Sequence, residues 1–406
     1  MRHRRDKGAE MGTVGAGDLF RILRDGSPRT RGELVDETGL ARTSVVVRLA
    51  ALQEIGLVSS LGNAASSGGR PASRVAFDAS ARTVVAVDLG ATHGVVGITD
   101  LRGEVRITER RELDIAAGPQ ATLDWVIEAA QRLLADLDVD PSTVLGVGIG
   151  VPGPVQHSTG RPIRPPIMPG WDGFDIPAFV RERIDVPTFV DNDVNVLAIG
   201  ERATSWPDVD DLLFIKVSTG IGAGVISGGS LQRGAQGSAG DIGHVQVPHY
   251  SLDERDLEAI ASAPAIAQEL SAASGERVPP GAVAERIRIG DPVAIAAARD
   301  AGRAIGEVAA MCVSLLNPST VVVGGRLGVL VQEIIAGVRE VVYKRSIPLA
   351  TQYLNIVPAR GGIDAGVRGA ALMVIDELLS PEAIDRMVAD LVGRSSSGQR
   401  ESSKSR

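Results

Sequence analysis

Leu34-Val35-Asp36-Glu37-Thr38-Gly39-Leu40-Ala41-Arg42-Thr43-Ser44-Val45 stands near the start of this 406-residue chain. Its pattern predicts one helix, a tight turn at Gly39 and a second helix that small polar residues open. Two helices joined in this way are typical of a helix-turn-helix, whose second helix enters the major groove of DNA. The stretch therefore predicts that the N-terminal part of the chain reads DNA.

The neighbouring residues predict a small winged helix-turn-helix domain at residues 15–80. A further helix is expected over residues 16–24, and two strands over residues 57–61 and 74–77 form the wing. The helix opened by Arg42 buries an apolar face, and its opposite face and the wing tip supply the candidate DNA contacts. These candidates are Arg42, Thr43, Ser44, Arg48 and Arg70. An ordinary solvent-exposed face and a plain Ser/Gly linker are the alternatives.

The charge of the chain is distributed unevenly. Residues 1–74 hold twelve Arg and Lys against eight Asp and Glu, a net charge of +4, so the remaining residues carry −12 of the total of −8. A basic head on an acidic body fits DNA contact by the head alone. Chance fluctuation in a short segment is the alternative reading of the charge by itself.

The single cysteine, Cys312, excludes an internal disulfide and a multi-cysteine zinc site. This cysteine usage is typical of a reducing cytosol. The basic N-terminus leads into no apolar stretch, and no apolar run reaches the length that spans a membrane. We therefore expect a cytoplasmic protein without a membrane partner. Residues 1–14 and the Ser/Arg-rich tail at 393–406 are predicted to be disordered.

From residue 83 onward, predicted strands alternate with helical stretches, which indicates an α/β body. Seven motifs in this body resemble, in order, those of the ROK family, which groups sugar kinases with sugar-responsive repressors. The motifs are Asp88–Thr92, Gly146–Val155, Asp191–Asn195, Ser218–Gly224, Gly237–His244, Leu257–Ser262 and Asn317–Gly325. The resemblance covers roughly residues 84–379, and the N-terminal winged helix is similar to that of the repressor branch.

The resemblance implies a two-lobed, actin-like ATPase fold of the ribonuclease H-like type that binds a sugar. One lobe is expected at 83–205, joined by a C-terminal helix at 366–380, and the second lobe at 206–365. Glycine-rich turns let backbone N–H groups approach phosphate oxygens. The implied phosphate or nucleotide loops comprise Asp88, Gly90, Thr92, Thr219, Gly220, Gly222, Gly324 and Gly325.

These loops depart from the pattern of the family's kinases. Ala91 and His93 stand where those kinases usually carry glycine and lysine. A neutral imidazole lacks the cation that steadies a transferring phosphoryl group. The loops are therefore predicted to be vestigial, and ATP with magnesium is a cofactor only if the chain is a kinase.

The resemblance also implies a sugar site, formed by Asn192, Asp193, Asp241, His244 and Glu258. Asp193 would be the general base of a kinase, which takes a proton from the attacking hydroxyl. Helix capping is the alternative role for the Asn192-Asp193 pair. Asp241 stands where the family usually has glutamate. The segment after His244 lacks the three cysteines that bind zinc in relatives, so neither zinc nor another metal is expected.

Together these features predict a sugar-responsive transcriptional regulator, a repressor of carbohydrate uptake or catabolism genes. Its expected partners are operator DNA, a sugar or sugar phosphate, and further copies of itself in a homodimer or homotetramer. An ATP-dependent hexose kinase with an appended DNA-binding domain is one alternative, supported by Asp193. A DNA-binding scaffold with an inactive cleft is another. Whether any enzymatic activity remains is open at this point.

Overall fold

The computed structural model describes residues 15–63, 73–247, 256–330 and 332–402. The chain divides into two compact units. The first, here called the N-terminal unit, combines the residues up to 83 with residues 100–102 and the C-terminal residues from 374 onward. The second, here called the body, holds residues 84–99 and 103–373.

The N-terminal unit begins with three helices and a three-stranded antiparallel sheet of order β1-β3-β2. Its elements are α1 (Ala16–Leu23), β1 (Arg29–Thr30), α2 (Arg31–Thr38), α3 (Arg42–Glu54), β2 (Val58–Asn63) and β3 (Ser73–Phe77). Helix α1 ends one residue before its predicted bound, and α3 begins at Arg42 as predicted. The predicted wing tip, including Arg70, falls in residues 64–72 and lies outside the described residues.

Local signals define the α2–α3 pair. The Thr30 hydroxyl accepts a hydrogen bond from the Glu33 N–H, and the Glu33 carboxylate accepts one from the Thr30 N–H, which is a complete capping box. Gly39 ends α2 in the left-handed region, with φ of 68°. Glycine adopts this conformation without the steric cost of a Cβ. The turn between the helices therefore forms where the sequence predicts it.

The core of the N-terminal unit is apolar and fully enclosed. The Phe20 and Phe77 rings meet edge to face, with 5.4 Å between their centroids. Leu34 of α2 and the apolar stripe of α3 are buried in the same unit. This stripe is the one predicted from helical spacing, Val45, Leu49 and Leu52.

Two C-terminal helices contribute to the same unit, α14 (Ala365–Leu378) in its last five residues and α15 (Pro381–Ser402). The Gly17 N–H donates to Oδ1 of Asp385 at 2.9 Å, and Arg24 pairs with Asp376 at 2.6 Å. The structure corrects the prediction of disorder for residues 393–402, because α15 continues to Ser402. Residues 403–406 lie outside the described residues. Adding residues to a helix that is already nucleated and packed costs little.

The first part of the body forms a five-stranded sheet of order β10-β7-β4-β5-β6, in which β10 runs parallel to β7. A two-stranded ribbon, β8-β9, lies outside this sheet. The elements are β4 (Thr83–Leu89), β5 (His93–Thr99), β6 (Val105–Glu112), α4 (Pro119–Asp136), β7 (Val144–Val151), β8 (Val155–Gln156), β9 (Arg161–Pro162), α5 (Ile176–Arg181), β10 (Thr188–Asn192) and α6 (Asp193–Ser205). Strands β4 and β7 are almost entirely buried, as their unbroken apolar runs predict.

The second part forms another five-stranded sheet, of order β13-β12-β11-β14-β15. Its strands are β11 (Leu212–Val217), β12 (Ile221–Ser227), β13 (Ser230–Leu231), β14 (Thr320–Gly324) and β15 (Asn355–Pro358). Its helices are α7 (Leu257–Ala261), α8 (Ala263–Ser274), α9 (Val283–Arg288), α10 (Pro292–Leu316), α11 (Gly325–Leu330), α12 (Gln332–Arg345) and α13 (Pro348–Thr351). Each large sheet thus falls within one of the two predicted lobe segments.

Helices α6 and α14 cross at glycines. A Cβ on Gly200 would fall 1.8 Å from the carbonyl oxygen of Ala365, and one on Gly369 would fall 1.7 Å from that of Val196. Backbones approach this closely only where side chains are absent. The same approach seats the start of α14 on the first sheet, because a Cβ on Gly366 would fall 2.2 Å from Oδ2 of Asp88.

No helix within the described ranges is long and apolar enough to cross a lipid bilayer.

Candidate functional site

The body gathers charged side chains where strands end. Asp88 lies one residue before the end of β4, Asp193 opens α6 directly after β10, and Lys216 lies one residue before the end of β11. The Lys216 ammonium forms an ion pair with the Asp193 carboxylate. Only 6% of the Asp193 side chain and 20% of the Lys216 side chain are exposed. This buried pair is the centre of the site.

Asp88 belongs to the same electrostatic group. Burial raises the pKa of its carboxyl to about 6, and the negative charge of Asp193 contributes to the rise. The Lys216 ammonium acts in the opposite sense, but its effect is smaller. Two carboxylates at strand ends of the first sheet therefore share the field of a single lysine from the second sheet.

The segment before Asp193 is anchored by a network of hydrogen bonds. Asp191, which is 2% exposed, accepts from the Arg233 guanidinium at 2.7 Å and from the Asn195 amide at 2.7 Å. The Asn192 amide donates to the Gly153 carbonyl at 2.8 Å, and its oxygen caps α6 by accepting from the Val194 N–H at 2.9 Å. Asn192 thus has the capping role that the sequence offers as the alternative to sugar binding.

The first predicted phosphate loop is covered by its own histidine. A Cβ on Gly90 would fall 2.3 Å from Cε1 of His93, so the imidazole occupies the space beside this glycine. Burial lowers the pKa of His93, and the positive charges of Arg110 and Lys216 lower it further. A neutral ring therefore lies where a phosphate-binding loop needs open space and a positive field.

The second predicted phosphate loop is occupied by Glu258. This carboxylate accepts the Ile221 N–H at 2.9 Å, directly after the turn of Thr219 and Gly220. A Cβ on Gly220 would fall 2.7 Å from the same carboxylate oxygen, and one on Gly243 would fall 3.3 Å from it. Glu258 thus binds the backbone of the loop through one oxygen. Because Gly220 and Gly243 carry no side chains, the Glu258 carboxylate fits beside them.

The remaining predicted residues lie on the same body but differ in their surroundings. Asp241 is exposed, and the exposed His244 pairs with Asp256 at 3.1 Å. This hydrogen bond raises the pKa of His244. Thr92 and Thr219 are also exposed.

The glycines of the predicted nucleotide turns meet neighbouring elements closely. A Cβ on Gly324 would fall 2.4 Å from the Phe214 ring, and one on Gly325 would fall 2.6 Å from the Val217 carbonyl. Gly222 pairs with Lys216 across the sheet. These three glycines therefore have packing roles in the second sheet.

Sequence reasoning missed Lys216, Arg233 and Asp191 as candidate site residues, although Asp191 directly precedes the predicted Asn192-Asp193 pair. A lysine inside the buried strand β11 is the one signal that the sequence offered, since charged residues are rarely buried without a partner. The partner of Arg233 lies 42 residues away and has no local signature. Across the described ranges, no group of three or more His, Cys, Asp or Glu side chains is placed to hold a metal ion.

The candidate DNA contacts form a separate surface on α3. Arg42 and Thr43 are exposed, Ser44 and Arg48 are partly exposed, and Val47 is exposed beside them. A groove of about 290 Å³ is lined by Thr43, Ser44, Val47 and Arg48. Thr43 and Val47 lie opposite the buried stripe, and Ser44 and Arg48 lie at its side, as helical spacing predicts.

Comparison with known proteins gives a family and a fold. Residues 84–377 match the sequence profile of the ROK family. The xylose repressor of Bacillus spizizenii is 25% identical over 367 residues, which are 89% of this chain and 94% of that repressor. The transcriptional dual regulator NagC of Escherichia coli is 26% identical over 332 residues, 76% of this chain and 79% of NagC.

Two crystal structures show the same mixed α/β fold with two sheets. A ROK family transcriptional regulator, a homologue of the E. coli MLC protein, aligns with a TM-score of 0.77 at 24% identity and covers 93% of this chain and 98% of its own. The ROK hexokinase of Thermus thermophilus aligns with a TM-score of 0.62 at 28% identity and covers 73% of this chain and 99% of its own.

Proposed function

Since the chain belongs to the ROK family, we propose that it is a sugar-responsive DNA-binding transcriptional regulator that represses genes of carbohydrate uptake or catabolism. One observation carries this proposal. The similarity to the xylose repressor extends over 89% of the chain, N-terminal residues included. The similarity to the hexokinase extends over 73% of the chain. A sugar kinase has no use for a DNA-binding unit.

In this proposal the N-terminal unit is a winged helix-turn-helix. Helix α3 enters the major groove with Arg42, Thr43, Ser44 and Arg48 toward bases and phosphates. Arg70, which the sequence places at the wing tip, enters the minor groove. The protein acts in the cytoplasm as a homodimer or homotetramer on a palindromic operator.

The sugar or sugar phosphate binds in the body, near Asn192, Asp193, Asp241, His244 and Glu258. Its binding changes operator affinity because it favours one arrangement of the protein over another. The relatives at 25% and 26% identity are named for different roles, a xylose repressor and NagC. Similarity at this level therefore supports sugars as the class of ligand. Binding measurements with a panel of sugars have to identify which sugar this protein binds.

The alternative function is an ATP-dependent hexose kinase. The hexokinase fold and Asp193 favour it. The surroundings of the two predicted phosphate loops oppose it, because His93 covers the first loop and Glu258 binds the second. In this proposal the loops are retained as scaffold, and neither ATP, magnesium nor zinc is required.

The test is binding of the full-length protein to DNA from upstream of its own gene at fixed salt. The panel contains xylose, glucose, N-acetylglucosamine and their phosphates. Tight sequence-specific binding that one sugar changes at least tenfold supports the proposal. Arg42→Ala and Arg48→Ala should each weaken DNA binding, whereas Arg288→Ala, which changes an exposed side chain of the body, should not. Equal operator affinity with every sugar would remove the sensing role.

A separate assay addresses the alternative. The protein is incubated with ATP, magnesium and each hexose, and sugar phosphate is measured. Formation of sugar phosphate that disappears in Asp193→Asn, together with no sequence-specific DNA binding, would establish the kinase in place of the regulator.

A further inference from the structure

Lys216 occupies a position that the strand pattern reserves for an apolar side chain. Leu212 and Phe214 precede it on the same face of β11, and both are buried against Val194 and Ala198 of α6. Because side chains two residues apart share a face of a strand, Lys216 continues this row. It places an ammonium group at the N-terminal end of α6.

The choice of lysine is unusual for this chain. The sequence contains four lysines, at positions 7, 216, 344 and 404, against 38 arginines. An arginine fork is broad and planar, whereas the lysine ammonium is a compact charge with three donors. Only lysine offers a single point charge to Asp193 and keeps further N–H groups for another oxygen.

The pair opposes the role of Asp193 as a general base. A base must accept the proton of the ligand hydroxyl, which would neutralise its carboxylate. Lys216 would then lose the carboxylate with which it is paired, in a site where four fifths of its side chain is buried, and would keep only the field of Asp88. Loss of the direct partner of a buried charge is unfavourable. The paired carboxylate can still accept a hydrogen bond from a hydroxyl group without taking its proton.

We infer that Lys216 is a ligand-recognition residue, which with Asp193 forms a donor–acceptor pair for two adjacent hydroxyl groups of a sugar. The ammonium donates to one oxygen of the diol, the carboxylate accepts from the other, and no proton is transferred. This inference rests on the proposed sugar-binding function and adds to it a recognition residue and a reason for binding without turnover.

The small number of lysines makes a direct test practical. The full-length protein is labelled with [¹³Cε]lysine, and Lys216→Arg identifies the Lys216 signal. Asp193→Asn should shift this signal, because it removes the counter-charge. Xylose, glucose and N-acetylglucosamine are then titrated, and their binding is measured independently by calorimetry. A sugar that binds should shift the Lys216 signal with the calorimetric midpoint and leave that of the exposed Lys344 unchanged.

Affinity provides the second measurement. Lys216→Met should weaken binding of that sugar at least tenfold, and Lys344→Met, the matched control, should not. Circular dichroism establishes that each variant is folded. Should Lys216→Met not fold, the NMR titration of the unmodified protein decides the question by itself.

The outcomes separate this inference from the proposed function. A sugar that binds and changes DNA affinity while the Lys216 signal stays unmoved would overturn the inference and leave the regulator intact. No binding of any sugar would overturn both. Asp193-dependent phosphorylation of a bound sugar by the unmodified protein would also overturn the inference, since Asp193 would then accept a proton.

Discussion

The α2–α3 pair and the polar site of the body differ in the distance along the chain between interacting residues. In α2 the capping box joins residues three apart, and a glycine directly after the helix ends it. In the polar site, Asp193 and Lys216 are 23 residues apart, Ile221 and Glu258 are 37 apart, and Asp191 and Arg233 are 42 apart. Local sequence is sufficient for the first region, whereas the second exists only once two sheets and their helices have packed.

The comparison predicts that stability falls most where tertiary packing leaves no room for an added side chain. Gly369→Ala would place a Cβ 1.7 Å from the Val196 carbonyl oxygen, so α6 and α14 must separate. We expect the free energy of unfolding to fall by about 3 kcal/mol. All three tryptophans, at 125, 171 and 206, lie in the body, so urea denaturation followed by fluorescence reports on this unit.

The matched control for this variant is Gly281→Ala, because a Cβ there meets nothing within 4 Å. Its denaturation midpoint should equal that of the unmodified protein. Equal losses in both variants would show that the helix crossing is not the cause.

The next largest effect is expected at Asp191. Asp191→Ala leaves the guanidinium of Arg233 without its buried partner and removes the acceptor of the Asn195 amide. The body should lose about 3 kcal/mol at most, less than a fully buried pair, since part of the Arg233 side chain reaches solvent. Fluorescence-detected denaturation measures the loss. The exposed pair of Glu285 and Arg288 is the comparison, and Glu285→Ala should leave the midpoint unchanged.

A stabilising change is expected at Asp88. Its carboxyl has a pKa of about 6 in the folded protein and an ordinary value of 3.8. Between these values the folded state holds a proton that the unfolded state lacks, so this residue's contribution to stability declines from about pH 4 to about pH 6. Asp88→Asn should therefore raise the free energy of unfolding by about 2 kcal/mol at pH 7.5 and have little effect near pH 4.

Denaturation at both pH values measures this difference, with the exposed Asp208→Asn as control. A gain of the same size at pH 4 and pH 7.5 would show that ionisation of Asp88 is not its source.

The smallest effect is expected in the locally determined region. Thr30→Ala removes the hydroxyl of the capping box and should destabilise α2 by about 1 kcal/mol. Amide hydrogen exchange over residues 31–38 should accelerate about fivefold, while exchange in the body stays constant. Thr30→Ser keeps the hydroxyl and should retain most of the protection. An effect of Thr30→Ala on the body would contradict the local character of this region.

Sequence reasoning succeeded where short-range physics dominates. The bounds of α1 to α3, the turn at Gly39 and the buried stripe of α3 follow from capping, glycine conformation and helical spacing. The strands of the body follow from apolar runs. Sequence reasoning failed for residues 393–402. Their Ser/Arg-rich composition gives no sign that residues 381–391 form a packed helix, which continues into them.

By itself, then, the sequence determined an α/β body in the ROK family and an N-terminal helix pair with a polar outer face. Only the tertiary structure decided that Lys216 pairs with Asp193, that Glu258 binds the backbone after Gly220, and that His93 covers Gly90. The physical reason is that helix caps and strand alternation arise between near neighbours in sequence. Ion pairs and buried carboxylates instead depend on which distant strands end side by side, and that depends on the packing of the whole body.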